Sequence, residues 1–155
     1  MFYSAQSGHW ALIQPPVDVA AGGVTSDIFT LRNYAHASII IQVGATGAAS
    51  TVTVEECDDF VPTTATAIGF DYYSETNAGG DTLGAKQTAT ASGFATTAAD
   101  NTFYVIEIDG RVLTDGFPNL RVKMSDPGAV PMLCSIAVVL SGARYAEDQN
   151  ATALA

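Results

Sequence analysis

The stretch FYVIEIDGRVLTDGFPNLRVKMSDPG, residues 103–128, decides the fold class. In its first part, 104–108, every second residue is apolar, and the segment 120–124 repeats this pattern after a run of turn-forming residues. A period of two is typical of β-strands that bury one face. The stretch therefore predicts two β-strands joined by a turn.

Charged side chains on these two strands raise the possibility of an acidic active site. The alternation points Glu107 and Asp109 outward on the first strand, and Arg121 and Lys123 share one face of the second. If the strands are antiparallel neighbours, these charges pair across them, each pair contributing roughly 0.2–1 kcal/mol. A general acid–base pair needs one desolvated carboxylate in a cleft, so we predict surface ion pairs here.

The composition limits the classes of function. The chain has 155 residues, 48% of them hydrophobic, which is enough for one domain with a real core. Six Lys and Arg against sixteen Asp and Glu give a net charge of −10, which argues against binding to nucleic-acid backbones or anionic membranes. The first residues lack the features of a secretory signal. We expect synthesis in a cytoplasm, and no nucleic-acid or membrane partner.

Strand-like segments rich in Val, Ile, Thr and aromatic residues recur along the chain, separated by clusters of Gly, Pro, Asn and Asp. This predicts an all-β fold, a single antiparallel β-sandwich or jelly-roll-like domain with extended terminal arms. The Ala-, Thr- and Gly-rich part 82–100 fits a strand or a loop, and an extended arm is an open alternative. The strand-like segments are HWALIQ, VTSDIFTL, ASIIIQVG, STVTVEEC, AIGFDYY, FYVIEID, LRVKM and LCSIAVVL.

The chain divides into an N-terminal arm or edge segment (1–14), a sandwich domain (15–141) and a C-terminal arm (142–155). Phe2, Tyr3 and Trp10 can anchor the first segment on a neighbouring molecule or, equally, pack on their own domain. The C-terminal segment carries Arg144 and Tyr145, followed by residues without strand alternation. These five residues are the candidates for contact with a partner.

The densest acidity, VEECDDF, contains Glu55, Glu56, Asp58 and Asp59 and is the best place to look for calcium. In a strand Glu55 and Glu56 point to opposite faces, and no Gly-bearing ligand loop follows directly, so a solvated strand end is the favoured interpretation. Three further acidic residues are expected in loops: Asp71, Glu75 and Asp81.

Nucleophilic catalysis needs a Ser, Thr or Cys with a base in reach, and the only histidines are His9 and His36. His36 stands at the entry to a β-run, where a hydrogen-bonded structural role is favoured. Cys57 and Cys134 lack metal-ligand spacing and are expected to be buried thiols. We predict no catalytic residue, cofactor or metal. Four aromatic residues fit a sugar-stacking platform or, equally well, a core: Tyr72, Tyr73, Tyr104 and Trp10.

Five motifs, in order, cover most of the chain from about Val24 onward: VTVEECDDFVPTTATAIGFDYYSET, GGDTLG, NTFYVIEIDGRVL, LRVKMSDPG and SGARYAEDQNATAL. Their order resembles a group of small structural proteins that tailed bacteriophages encode in their virion gene blocks. The resemblance implies a non-enzymatic virion protein made in the host bacterial cytoplasm. It assigns no site residues.

By analogy with similar small β-domains, the expected role is that of a capsid decoration, or cement, protein. Such a protein binds the outer surface of the major capsid protein lattice and stabilises the head. The acidic charge disfavours contact with packaged DNA, which favours the capsid exterior. A homo-oligomer, with a trimer as first guess, would match the three-fold sites of a shell. The alternative is a tail, neck or fibre-associated β-module that binds a receptor or a glycan.

Overall fold

A computed structural model of the chain describes residues 4–77, 80–144 and Leu154. A short helix, α1 (Ser4–Ser7), precedes the first strand, and a turn of 3-10 helix covers Gly110–Val112. In this described part, no helix has the length and hydropathy needed to cross a membrane. The strands are β1 (His9–Asp18), β2 (Val24–Thr25), β3 (Phe29–Thr30), β4 (Tyr34–Thr46), β5 (Thr51–Cys57), β6 (Ala65–Ile68), β7 (Phe70–Glu75), β8 (Gln87–Ala89), β9 (Phe94–Ala95), β10 (Thr102–Asp109), β11 (Asn119–Met124) and β12 (Met132–Ala143).

The strands form two antiparallel sheets that pack against each other. Sheet I has the order β1-β12-β4-β10-β7-β8. Sheet II has the order β2-β11-β5-β6, with β3 also paired to β11 and β9 to β5. The predicted all-β antiparallel sandwich is confirmed, and each of the predicted strand-like segments contains strand.

The core lies between the sheets because alternate residues of each strand point inward. In β10 the residues Tyr104, Ile106 and Ile108 are buried, and those between them are half-buried. Burying such side chains contributes about 1.5–3 kcal/mol each. The largest fully buried side chains come from both sheets: Tyr104, Phe29, Ile13, Ile39, Ile41, Ile106, Ile108, Leu120, Met124, Met132, Ile136 and Leu140.

The predicted segment AIGFDYY divides between the two sheets. β6 pairs with β5 in sheet II, whereas β7 pairs with β10 in sheet I. Between them, Gly69 approaches the opposite segment so closely that a Cβ atom would lie 3.0 Å from the carbonyl oxygen of Ala89. The chain therefore turns a corner of the sandwich at Gly69. Asp71 and Glu75, expected in loops, lie in β7, and Asp81 lies outside the strands.

The part 82–100 is not an extended arm, because it adds β8 to sheet I and β9 to sheet II. Ala89 and Phe94 from this part are buried in the core. Its strands are only three and two residues long, so they carry too little alternation for detection from sequence. Between them the chain turns at Gly93, which has a φ of 75° and donates its N–H to the carbonyl of Thr90.

The predicted pairing of Glu107 and Asp109 with Arg121 and Lys123 is wrong. β10 belongs to sheet I and β11 to sheet II, so the segment between them crosses the sandwich and does not form a hairpin. Turn-forming residues serve both kinds of connection equally well. The crossing segment is anchored on β5, where the N–H of Thr114 donates to Glu56 Oε2 at 2.8 Å.

The terminal segments are described in part. Residues 9–14 form the first half of β1, an edge strand paired with β12, so the domain boundary placed after residue 14 falls within a strand. At the other end, β12 continues to Ala143, and Leu154 pairs with Phe29 and packs against the core. Most of the predicted C-terminal arm, 145–153 and 155, lies outside the described residues, as do residues 1–3.

Candidate functional site

The side of sheet I that points away from sheet II carries a band of apolar residues across its strands. We call this surface the outer face. Trp10 and Leu12, on the edge strand β1, are 50% and 52% exposed there. Trp10 and Val139 lie beside a central apolar row on one side, and Phe103 lies beside it on the other. This row takes one residue from each of β1, β12, β4, β10 and β7: Leu12, Ala137, Ile40, Val105 and Tyr73.

The amino-acid pattern of the central strands explains the outer face. In β4 the residues Ile39 and Ile41 face the core, yet Ile40 between them is also apolar. β12 and β10 likewise carry apolar residues at both core-facing and outward-facing positions. Near-continuous apolar runs are typical of strands covered on both faces, whereas the outward residues of a two-layer sandwich are usually polar. The middle of sheet I therefore carries an outward apolar band of the kind that a further layer can cover.

The outer side of sheet II is polar, in contrast. Glu55 on β5 lies opposite Arg121 on β11 and accepts hydrogen bonds from Arg121 at 2.7 Å and from Lys123 at 3.4 Å. The Glu55 side chain is only 15% exposed, which strengthens such charge-assisted hydrogen bonds. The outward side of sheet I therefore carries an apolar band, whereas the outward side of sheet II carries charged residues.

The acidic segment VEECDDF is structural. Glu55 and Glu56 point to opposite faces, as predicted, but the solvated strand end is wrong because Glu56 is 4% exposed and bonded to Thr114. Asp58 accepts hydrogen bonds from the side chain of Thr63 and from the N–H groups of Thr63 and Thr64, and these hold its pKa below the usual range. No group of three His, Cys, Asp or Glu residues within 4–77, 80–144 and 154 is arranged to hold a metal ion.

A shallow groove of about 310 Å³ opens on the outer face. Trp10 and Phe103 supply its aromatic surface, and Gln42 and Ser135 supply polar groups. Because aromatic side chains with an apolar body and an exposed edge dominate protein interfaces, this groove is the best-defined docking feature of the outer face. The remaining lining residues are Leu12, Ile40 and Ala137.

One end of the outer face is polar. Glu107 Oε2 accepts a hydrogen bond from Ser38 Oγ at 2.6 Å and lies 3.1 Å from His36 Nε2. The carboxylate thus stands between the hydroxyl and the imidazole. Nucleophilic catalysis uses the imidazole in that middle position, so the arrangement does not present His36 as a base for Ser38. His36 instead lies beside the Glu107 carboxylate, and its hydrogen-bonded structural role stays a prediction.

Beside this end lies a groove of about 460 Å³, with Phe70, Ala89 and Ile108 among its lining residues. We call its three carboxylates, Asp71, Glu107 and Asp109, the acidic border. Hydrogen bonds from Thr88 and Lys86 lower the pKa of Asp71, and those from Arg111 lower the pKa of Asp109. The carboxylates of Asp71 and Asp109 are therefore held in their charged form.

The aromatic residues considered for sugar stacking separate into two groups. Tyr104 is 2% exposed, and Tyr72 stacks on Phe94 with ring centroids 4.1 Å apart, so both belong to the interior packing. Tyr73 and Trp10 lie on the outer face. An aromatic platform therefore cannot include all four.

Of the five residues predicted to contact a partner, the structure describes Trp10 and Arg144; Phe2, Tyr3 and Tyr145 lie outside the described residues. The backbone N–H of Arg144 donates to the carbonyl of Asn33 at 2.8 Å. Its side chain lines a cavity of about 300 Å³ together with Arg32. Trp10 and Arg144 line different cavities, so the structure does not join them into one site.

Both cysteines are buried free thiols, as the sequence predicts. Burial raises the pKa of Cys134 to about 11. Burial also raises the pKa of Cys57, against the opposing effect of the nearby Arg121 guanidinium. Neutral, enclosed thiols of this kind are poor nucleophiles.

Sequence reasoning found Trp10 and Tyr73 but missed the other residues of the outer face. The sequence does contain a signal for these residues. In β4, β10 and β12, apolar residues stand at outward-facing as well as core-facing positions, a pattern typical of strands covered on two sides. Their register was needed to join these residues into one surface, and no local pattern supplies it. No protein-family model, curated protein or solved structure matches this chain.

Proposed function

We propose that this chain is a non-enzymatic structural protein of a tailed-bacteriophage virion. Its specific role is capsid decoration: it binds the exterior of the major capsid protein lattice and stabilises the head. The order of sequence motifs supports the phage assignment. The observation that carries the docking role is the outer face of sheet I, where Trp10, Leu12 and their neighbours lack a covering layer among the described residues.

A shell lattice supplies the kind of layer that this face requires. Contiguous exposed apolar surface of this type marks interaction sites in soluble proteins. A lattice repeats its binding site over the whole particle, so a modest contact per copy adds up to a large stabilisation of the head. The net charge of −10 favours an exterior position, because packaged DNA would repel the chain. A trimer at a three-fold site of the shell is the proposed stoichiometry.

The deciding experiment is the copy number of this protein in purified virions, measured by quantitative mass spectrometry against the major capsid protein. Decoration predicts a simple fraction of the shell subunits, amounting to hundreds of copies. A dozen copies or fewer would place the protein in the tail or at a vertex. Its absence from virions would refute the structural role altogether.

A second function, glycan or receptor binding by a tail, neck or fibre component, has one observation in its favour. The groove that Trp10 and Phe103 line also holds the amide of Gln42 and the hydroxyl of Ser135, a combination suited to stacking and hydrogen bonding with a sugar ring. The variant Trp10→Ala separates the two functions. Loss of glycan or cell binding with unchanged head stability supports the second function, and loss of particle incorporation supports decoration.

A further inference from the structure

We infer that the outer face binds a partner protein whose surface is apolar in the middle and basic along one border. This inference rests on the proposed function for its biological setting, but its argument comes from the chemistry of sheet I alone. It names the kind of partner, which the decoration role leaves open.

The apolar part of the partner follows from the central row. Leu12, Ala137, Ile40, Val105 and Tyr73 are contiguous across five strands, and none of them carries a charge. Leu133, at the far end of β12, is a further outward-facing residue that is 50% exposed. A surface of this kind gains most free energy from burial against another apolar surface.

The basic part of the partner follows from the acidic border. Glu107 and Asp71 lie in the row next to the central apolar row and adjoin it directly, whereas Asp109 lies one row further out. Ser38 Oγ and His36 Nε2 both contact Glu107 Oε2, and these contacts fix the orientation of the carboxylate. The neighbouring groove has Phe70 and Ile108 in its lining, and such apolar walls suit the aliphatic stem of a Lys or Arg.

A second copy of this chain fits the border poorly. The cations at the border, Lys86 and Arg111, are bound to Asp71 and Asp109 of the same chain. Each copy also brings a net charge of −10, which opposes contact between two outer faces at low salt. The proposed trimer would associate through other surfaces. Lys86 and Arg111 offset the charges of Asp71 and Asp109, so the charge of the border comes from Glu107. Together with the net charge of the chain, this carboxylate favours a basic partner.

Trp10 is the single tryptophan of the chain and lies on the outer face, so its fluorescence reports occupation of this face. The first test uses two synthetic peptides of equal length, one with alternating Leu and Lys and the other with Glu in place of Lys. We expect the Leu-Lys peptide to shift Trp10 emission to shorter wavelength in a saturable manner, and the Leu-Glu peptide to leave the emission unchanged. Equal binding of both peptides, or of neither, overturns the inference.

Matched variants localise the effect. Leu12→Asp should weaken binding of the Leu-Lys peptide at least about tenfold, with Leu12→Ala intermediate, whereas Val61→Asp, at an 85% exposed apolar residue outside sheet I, should have no effect. The double variant Glu107→Gln and Asp71→Asn should weaken binding about threefold to tenfold at low salt. As a control, Asp115→Asn changes one charge outside the border. Equal effects of the Leu12 and Val61 variants would refute the assignment to this face.

A second experiment adds the recombinant protein to virions of a phage whose genome lacks the gene for it. Rebinding that weakens as salt rises, with the same ranking of variants, identifies the shell as the basic partner. Particles that never take up the wild-type protein contradict the proposed function, while the peptide result still decides the inference. Self-association of the wild-type protein with the same shift in Trp10 emission would make a second copy the occupant and overturn the inference.

Discussion

Glu56 lies at a core-facing position of β5 and is 4% exposed. Its carboxylate accepts a hydrogen bond from the N–H of Thr114. We predict that Glu56→Ala lowers the free energy of unfolding by about 1–3 kcal/mol, because it leaves this N–H without its acceptor. Glu56→Gln keeps an acceptor oxygen and should have a smaller effect. Urea denaturation measures both, with Asp115→Ala as an exposed control. Equal losses for the Ala and Gln variants would show that the negative charge, and not the hydrogen bond, is what matters.

Cys134 has a pKa of about 11 because burial disfavours its thiolate, whereas an unfolded thiol ionises near pH 8.5. The protonated thiol therefore contributes its full stability below about pH 8.5. That contribution is lost as the pH rises toward 11. We predict that native protein at pH 8 reacts with a thiol reagent only as fast as it unfolds. The decline in stability above pH 9 should be smaller in Cys134→Ala, and an identical decline in both proteins would contradict this assignment.

The direction of single side chains could be predicted from sequence, but their partners could not. Alternation correctly pointed Glu107 outward, because the period of a strand is a local property. The partners of Glu107 come from β4, far along the chain, and those of Arg121 come from β5. Cross-strand neighbours depend on which strands pair and in what register, and residues 103–128 contain neither piece of information.

Among the elements, the turn between β8 and β9 has the tightest backbone contact. Gly93 has a φ of 75°, and a Cβ atom there would lie 1.9 Å from the carbonyl oxygen of Val52. We predict that Gly93→Ala destabilises the fold by several kcal/mol, combining backbone strain of about 1–3 kcal/mol with displacement of β9 from β5. Thermal and urea denaturation measure the loss.

Gly116 offers the matched control for this substitution. Its φ of 87° is similar, but a Cβ atom there would meet nothing within 4 Å. Gly116→Ala should therefore show only the backbone part of the effect. If the two variants lose the same stability, the contact with Val52 has no role.

The strands themselves could be predicted, but the connections between them could not. Long segments such as β4 and β12 have strong alternation and high β-propensity. The connection between β6 and β7 is the single residue Gly69, and that between β10 and β11 contains the Gly, Pro and Asp residues of hairpin turns. Both connections nevertheless lead from one sheet to the other. Turn chemistry determines that the chain bends and leaves open which sheet it enters next.

At the scale of the whole molecule, three exposed large apolar residues, Trp10, Leu12 and Leu133, lie on the outer face of sheet I. We predict that the free protein binds a hydrophobic dye there and that Leu12→Asp reduces this binding. Val61→Asp should leave dye binding nearly unchanged. Unchanged circular dichroism and thermal stability would confirm that both variants are folded. Equal dye binding by wild-type protein and Leu12→Asp would show that the dye reports another surface.

The corner at Gly69 and the short link from Ala89 to Phe94 join the two sheets along the same side of the sandwich. That link has only four residues between the two strands, and the hydrogen bond from the Gly93 N–H to the Thr90 carbonyl closes it into a turn. Further connections, such as those from β1 to β2 and from β10 to β11, also lead from one sheet to the other. A force applied to the outer face of sheet I is therefore transmitted through these connections to sheet II. The two sheets should resist separation even though only sheet I would contact a bound partner.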